Sequence, residues 1–186
     1  LQQVINGLSL GSIYALIALG YTMVYGIVKL INFAHGDIYM IGAYIGFACI
    51  SILGLGFVPS LLAAMLLCSA LGFIIEKIAY KPLRNATRIA ALITAIGVSL
   101  FLEYGTMFLV RPDVRTFPRV FPQKSFVLAQ GVLINIRQVY IFAVTILLMV
   151  LLQYIVHRTS IGRAMRAVSM DKDAARLMGI NVDTTV

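Results

Sequence analysis

Ile31-Asn32-Phe33-Ala34-His35-Gly36-Asp37 is a polar heptapeptide lodged between two apolar runs. Before it, Leu8 to Val28 is almost wholly apolar; after it, Ile38 to Leu55 carries no charge. Runs of about 20 apolar residues suffice to cross about 30 Å of hydrocarbon as helix. An Asn, a His and an Asp within six residues are costly beside hydrocarbon. A membrane chain that keeps such a cluster faces it toward a cavity, a pathway or another subunit.

Composition agrees with the flanks. Hydrophobic residues make up 61% of the 186 residues and charged residues 12%, against about 25% charged in an average soluble domain. The apolar runs are rich in Leu, Ile, Ala and Gly and lack the alternation of barrel strands. Helices then satisfy the backbone in lipid. The net charge of +8 lies in short connections between apolar runs, a pattern of membrane topology and lipid headgroups rather than of nucleic-acid binding. Cys49 and Cys68 sit inside apolar runs with no ligand-spaced His or Cys, which predicts buried thiols and no metal site.

Outward from the heptapeptide, the expected spans are about 4–28, 38–55, 57–75, 89–110 and 139–156. The fold class is an all-α polytopic membrane protein with about five transmembrane helices, in a membrane region 1–157 followed by a cytoplasmic segment 158–186. Gly7, Gly11 and Ala15, and later Gly42 and Gly46, recur every four residues and predict faces where helices approach closely. Pro59 suits the first turn of the third helix. Glu76 to Arg88 reads as a basic, cytoplasmic connection in which Pro82 stops a helix and Thr87 caps the next. Asn85-Ala86-Thr87 matches a glycosylation sequon only by chance on that side. Glu103 lies within the last third of the fourth run, open to snorkelling, polar packing or a pathway role. Pro112, Pro118 and Pro122 keep the following loop irregular, and Val127 to Ile136 either lies on the surface or pairs as a strand. If the first two runs are full spans, the amino terminus is outside; a re-entrant segment at the heptapeptide puts it inside. Leu1 without a Met and Val186 in polar sequence read as truncations, and the first run is too long for a cleavable signal.

The tail forms a second polar constellation. Ile161, Ala164, Met165 and Val168 have helical spacing, with Arg163 and Arg166 off that face. Asp171 is placed to cap a short second helix, Asp173 sits in its first turn, Arg176 in its last, and Gly179 with Ile180 makes its stop. Such a helix either rests on lipid headgroups or fits a protein groove.

The residues resemble the permease subunits of bacterial ABC importers for branched-chain amino acids. The resemblance runs through Asn6-Gly7, Gly11, Tyr14-Ala15-Leu16, Gly20-Tyr21-Thr22-Met23-Val24-Tyr25-Gly26, the heptapeptide, Glu76, Ala79-Tyr80-Lys81-Pro82-Leu83-Arg84 and Leu92-Ile93-Thr94-Ala95-Ile96-Gly97. It continues through Gly162-Arg163-Ala164, Arg166-Ala167, Asp171, Ala175 and Gly179-Ile180-Asn181. It implies a multi-pass protein of the bacterial inner membrane with a second, homologous or identical permease. Two cytoplasmic ATPase subunits and a periplasmic or extracellular substrate-binding protein would complete the importer, with further spans after this segment. It also implies that a cytoplasmic coupling helix fits a groove on the ATPase. Gly162, Arg163, Arg166, Ala167, Asp171, Ala175, Leu177, Gly179 and Ile180 are the coupling candidates, and Asn32, Phe33, His35, Gly36 and Asp37 the pathway candidates. Glu103 and the exterior loop depart from the family pattern.

No phosphate-cradling glycine loop and no Ser/His/Asp set occurs, so no catalytic residue and no cofactor is expected; ATP hydrolysis belongs to a separate subunit. The alternative is a gradient-driven secondary transporter or channel for a small polar solute, using Asp37 and Glu103. An intramembrane enzyme would need a nucleophile–base or metal pair that the sequence does not supply.

Overall fold

The computed structural model of the chain describes residues 2–28, 32–83, 86–111, 113, 115–118, 120, 125–129 and 132–185. Lys29, Ile31, Arg84, Asn85, Pro112 and Pro122 lie outside the described residues. In order, the elements are α1 (Gln2–Val28), α2 (His35–Ser51), α3 (Phe57–Ile75), α4 (Arg88–Val110), β1 (Ser125–Ala129), β2 (Val132–Asn135), α5 (Ile136–Arg158), α6 (Ser160–Met170), α7 (Lys172–Leu177) and α8 (Val182–Thr185). They fall into two units, Leu1–Lys29 with Phe121–Val186, and Leu30–Val120.

In the unit Leu30–Val120, α2 and α3 pack where Gly42 meets Cys68. A Cβ on Gly42 would stand 2.9 Å from the Cys68 Sγ, and that thiol donates to the Ile38 carbonyl at 3.6 Å. Gly46 meets nothing within 4 Å. Helix α3 does not stop at Ile75. It continues through a π-helical stretch, Glu76–Tyr80, and a 3-10 turn, Lys81–Leu83. The first part of the expected basic connection is therefore helical. The cause is local: Pro82 has no N–H and crowds the carbonyl four residues back. The chain reaches it through a wider turn, in which the Lys81 N–H donates to the Glu76 carbonyl. Thr87 then caps α4, its hydroxyl accepting from the Ala90 N–H at 3.4 Å. Helix α4 buries Ala91, Ala95 and Leu102. Ala34, Ile75 and Leu102 form the core of this unit, with Ile38, Ile41, Leu71, Val98 and Tyr80 against it.

In the other unit, the run 127–136 does pair. Strands β1 and β2 form an antiparallel hairpin with Phe126 opposite Ile134 and Val127 opposite Leu133. Gln2 at the start of α1 binds this hairpin as a strand would. Its amide nitrogen donates to the Leu133 carbonyl at 2.9 Å, and its amide oxygen accepts from the Leu133 N–H at 2.8 Å. Asn135 and Gln138 form a capping box on α5. Gln138 also donates to the Asn6 Oδ1 at 2.9 Å. These bonds fix the beginnings of α1 and α5 side by side. The two helices run parallel, and α6 returns against α1 beyond the end of α5. Gly7 and Gly11 of α1 meet nothing within 4 Å, so their small-residue face is open in this unit.

Among the described residues, four helices are long and apolar enough to cross a membrane: Gln2–Gly26, Phe57–Leu83, Ile89–Val110 and Ile136–Arg158. Helix α2, with 17 residues, reaches about 25 Å at 1.5 Å per residue, short of the full hydrocarbon thickness. The outward surfaces are apolar: Phe101 is 76% exposed and Phe108 87%. A chain with such flanks is a multi-pass membrane protein, and lipid or neighbouring protein covers what water would reject.

Candidate functional site

The heptapeptide is a shaped break anchored at two points. Its irregular part is Asn32 to Ala34. The Asn32 Oδ1 accepts from the Ala34 N–H at 3.1 Å and from the Tyr80 hydroxyl at 2.8 Å. The Asn32 carbonyl accepts from the His35 N–H at 3.3 Å. A side-chain oxygen that bonds its own backbone two residues on imitates a turn. Here the same oxygen ties the turn to the π-helical stretch ending α3. Ala34 is fully buried, which fixes the turn from the opposite side.

Asp37 supplies the second anchor. It lies in the first turn of α2, where the exposed N–H groups favour a negative charge. Its Oδ2 accepts from the Ser99 hydroxyl of α4 at 2.5 Å. Gly36 is ordinary helix with open space where a Cβ would go, so the irregular backbone belongs to Asn32–Ala34 rather than to the glycine. Phe33 is 46% exposed and His35 half-buried. Glu103 is exposed on α4, off the face that buries Ala95 and Leu102.

Tyr80 and Ser99 are the residues that sequence reasoning missed. Tyr80 lay inside the block Ala79 to Arg84 with no role of its own. Ser99 had one signal: Ala91, Ala95 and Ser99 recur every four residues, and the first two are buried, so Ser99 belongs to the packed face.

The tail constellation is built on the end of α5. The Thr159 hydroxyl caps α6 by accepting from the Gly162 N–H at 3.1 Å. A methyl group on Gly162 would overlap the carbonyl oxygens of Val156 and Ile155. Glycine is what lets α6 fold back tightly on α5. Asp171 caps α7 by accepting from the Asp173 and Ala174 N–H groups at 2.8 and 3.1 Å. Gly179 closes it with φ +80°, and the Ile180 N–H donates back to the Ala175 carbonyl at 3.0 Å. This is the left-handed helix stop that glycine serves without strain.

The coupling candidates divide by burial. Gly162 and Ala175 are buried, and Ala167 and Ile180 pack against the inner cluster of Val168, Ala175 and Val182. Arg163, Arg166, Asp171, Leu177 and Gly179 are exposed. Leu177, 89% exposed, stands beside Met178 at 82%, and Met170 is 84% exposed. Neither methionine was among the candidates. Their signal is faint, because an apolar residue in a short amphipathic helix reads as inward-facing until the packing is seen. Among the described residues no group of three or more His, Cys, Asp or Glu is placed to hold a metal ion.

Residues 3–186 match the family of branched-chain amino acid transport system permease components. The chain is 44% identical over 198 residues to the high-affinity branched-chain amino acid transport system permease protein BraD of Pseudomonas aeruginosa. It is 41% identical over 198 residues to LivH of Salmonella typhimurium and 42% over 203 residues to LivH of Escherichia coli, both high-affinity branched-chain amino acid transport system permease proteins. In each comparison all of this chain is covered, and it spans 64% of the relative's length. No solved structure matches the chain.

Proposed function

Since this chain belongs to the family of branched-chain amino acid transport permeases, we propose that it is a pathway-forming subunit of an ATP-driven importer of branched-chain aliphatic amino acids in the bacterial inner membrane. It pairs with a second permease, identical or homologous. A binding protein delivers the amino acid from outside, and two cytoplasmic ATPase subunits drive alternating access.

The observation that carries the reading is the construction of residues 159–182. Two short helices, α6 and α7, are capped by Thr159 and Asp171, and Gly179 closes the second. With α8 they bury Val168, Ala175 and Val182 inward and display Met170, Leu177 and Met178 outward. Flexible apolar side chains on a pre-formed support suit a groove on another protein. Exposed Arg163, Arg166 and Asp171 surround them with both signs of charge, which disfavours an anionic lipid surface. The segment therefore docks the ATPase through Leu177, Met178 and Met170, with Arg163, Arg166 and Asp171 at the rim. Gly162, Ala167, Ala175, Gly179 and Ile180 hold the support in shape.

The membrane region is 1–157, and all five of its long helices cross. The parallel run of α1 and α5 supports this, because an odd number of crossings must separate them. The short α2 then crosses too, and the amino terminus is outside. In the heptapeptide, Asn32 and Asp37 hold the break between spans through Tyr80 and Ser99. Phe33, His35 and Gly36 are left to line the path.

Co-purification of the full-length complex tests the docking. Leu177→Asp with Met178→Asp is expected to abolish ATPase association while the permease pair stays folded in detergent. Arg166→Glu is expected to weaken it. Unchanged association of the Asp pair would overturn the docking role. Transport of L-leucine that persists without any ATPase would favour a gradient-driven carrier instead.

A further inference from the structure

A cleft of about 630 Å³ opens between α1 and α5 at the end where both helices begin. That volume lies in the range of about 300–1,000 Å³ typical of small-molecule sites. Its walls separate by chemistry. Leu10, Ile13 and Ile141 make one side apolar, while Asn6, Ser9, Arg137 and Gln138 bring polar groups to the other.

Among the described residues, two of these polar groups have no protein partner. Ser9 is only 7% exposed, and no hydrogen bond engages its hydroxyl among the described residues. Its neighbour Ser12, by contrast, donates to the Leu8 carbonyl at 2.8 Å. Among the described residues no side-chain polar atom is sealed off without a partner, so the Ser9 hydroxyl keeps its small opening to the cleft. A nearly buried hydroxyl without a partner inside an apolar helix is costly unless something entering the cleft bonds it. Arg137 is the one charged residue of the lining, and no acidic side chain pairs with it among the described residues. It stands in the first turn of the 23-residue α5, where the helix dipole is already positive. Arg137 is exposed, and its guanidinium at the positive end of a long helix offers a charged partner to an anion from outside the chain.

We infer that this cleft is an outer-mouth binding site for a small aliphatic α-amino acid, distinct from the heptapeptide. Arg137 and the start of α5 meet the carboxylate. The Ser9 hydroxyl accepts from the α-ammonium, beside an Asn6 Oδ1 that Gln138 and Gln2 already engage. Leu10, Ile13 and Ile141 receive the branched side chain. Gln138, buried and tied to Asn6 and to the Asn135 N–H at 3.1 Å, holds the polar wall in position. The inference rests on the proposed import of branched-chain amino acids and specifies where the substrate pauses.

The test uses the full-length importer with its ATPase and binding-protein partners in proteoliposomes. Wild-type uptake of L-leucine reads the function itself; if it is absent, both the proposed function and this site fall. With uptake present, Arg137→Gln is expected to raise KM for L-leucine about tenfold, as for the loss of one charged hydrogen bond, with ATPase association unchanged. Ser9→Cys is expected to react with a methanethiosulfonate reagent, over the background of Cys49 and Cys68, and to be protected by excess L-leucine but not by L-glutamate. This second variant decides the question should Arg137→Gln fail to assemble. A labelling rate of the Ser9→Cys variant that is indifferent to L-leucine, or that tracks anionic lipid content instead, would overturn the site while leaving the importer reading intact.

Discussion

Asn32 Oδ1 serves two donors, the Ala34 N–H and the Tyr80 hydroxyl, so the two residues are expected to act as one unit. Asn32→Ala and Tyr80→Phe should each destabilise the folded permease in detergent by about 0.6 to 1.7 kcal/mol, the range for side-chain hydrogen bonds between membrane helices. The double variant should cost clearly less than the two losses combined, because either change alone already removes the shared bond. Thermal unfolding of the four proteins measures this, and strict additivity would show that Tyr80 does not hold the break. Polarity marked Asn32 and Asp37 in the sequence as residues needing a purpose. It did not disclose their partners, since Tyr80 is 48 positions from Asn32 and Ser99 is 62 from Asp37, and pairings at that distance depend on packing. Gly36 stays ordinary helix for a related reason. A glycine beside a polar cluster suggests a kink, but an Asn side chain bonding its own backbone made the turn without one.

At the scale of elements, caps were the most legible feature because their chemistry is local. Thr87, Asp171 and Gly179 all act where sequence put them. Asp171→Ala should therefore cost α7 about 1 kcal/mol and speed amide exchange at Asp173 and Ala174, whose N–H groups lose their acceptor. Gly179→Ala forces a side chain into the left-handed region, at about 1–2 kcal/mol. Gly162→Ala should do more than either, since its methyl has no room against the Val156 and Ile155 carbonyls. It is expected to displace α6 as a body and lower the coupling of transport to ATP hydrolysis, read as uptake per ATP consumed. Two features were not legible at this scale. The π-helical stretch at Glu76–Tyr80 arises from how α3 accommodates Pro82, and a proline alone reads as a stop. The outward turn of Leu177 and Met178 follows from which side Val168 and Val182 occupy, and those contacts come from α6 and α8 rather than from α7.

For the molecule as a whole, hydropathy located every long helix but could not decide sidedness, because α2 is short and the loop after α4 carries as much positive charge as the connection after α3. The decisive constraint is not a hydropathy value but a pair of side chains. Gln2 on Leu133 and Gln138 on Asn6 set the starts of α1 and α5 at one end. A chain that leaves one side through α1 and leaves the same side again through α5 must return in between. The helices available for the return are α2, α3 and α4, and only an odd number of crossings restores the side. On the proposed topology helix α2 crosses with 17 residues, a mismatch that local thinning or polar neighbours at its ends absorbs at modest cost. Asp37 in its first turn, bonded to Ser99, is one such neighbour. Single cysteines at Gln3 and Ser51, in a chain with Cys49 and Cys68 replaced, should both react with an impermeant thiol reagent applied outside intact cells. A cysteine at Met178 should react only in everted vesicles. Gln3 and Ser51 reacting from opposite sides would mean that α1 and α2 together make a single broken crossing. The heptapeptide would then lie at membrane depth, and Asn32 and Asp37 would become substrate-facing groups rather than anchors.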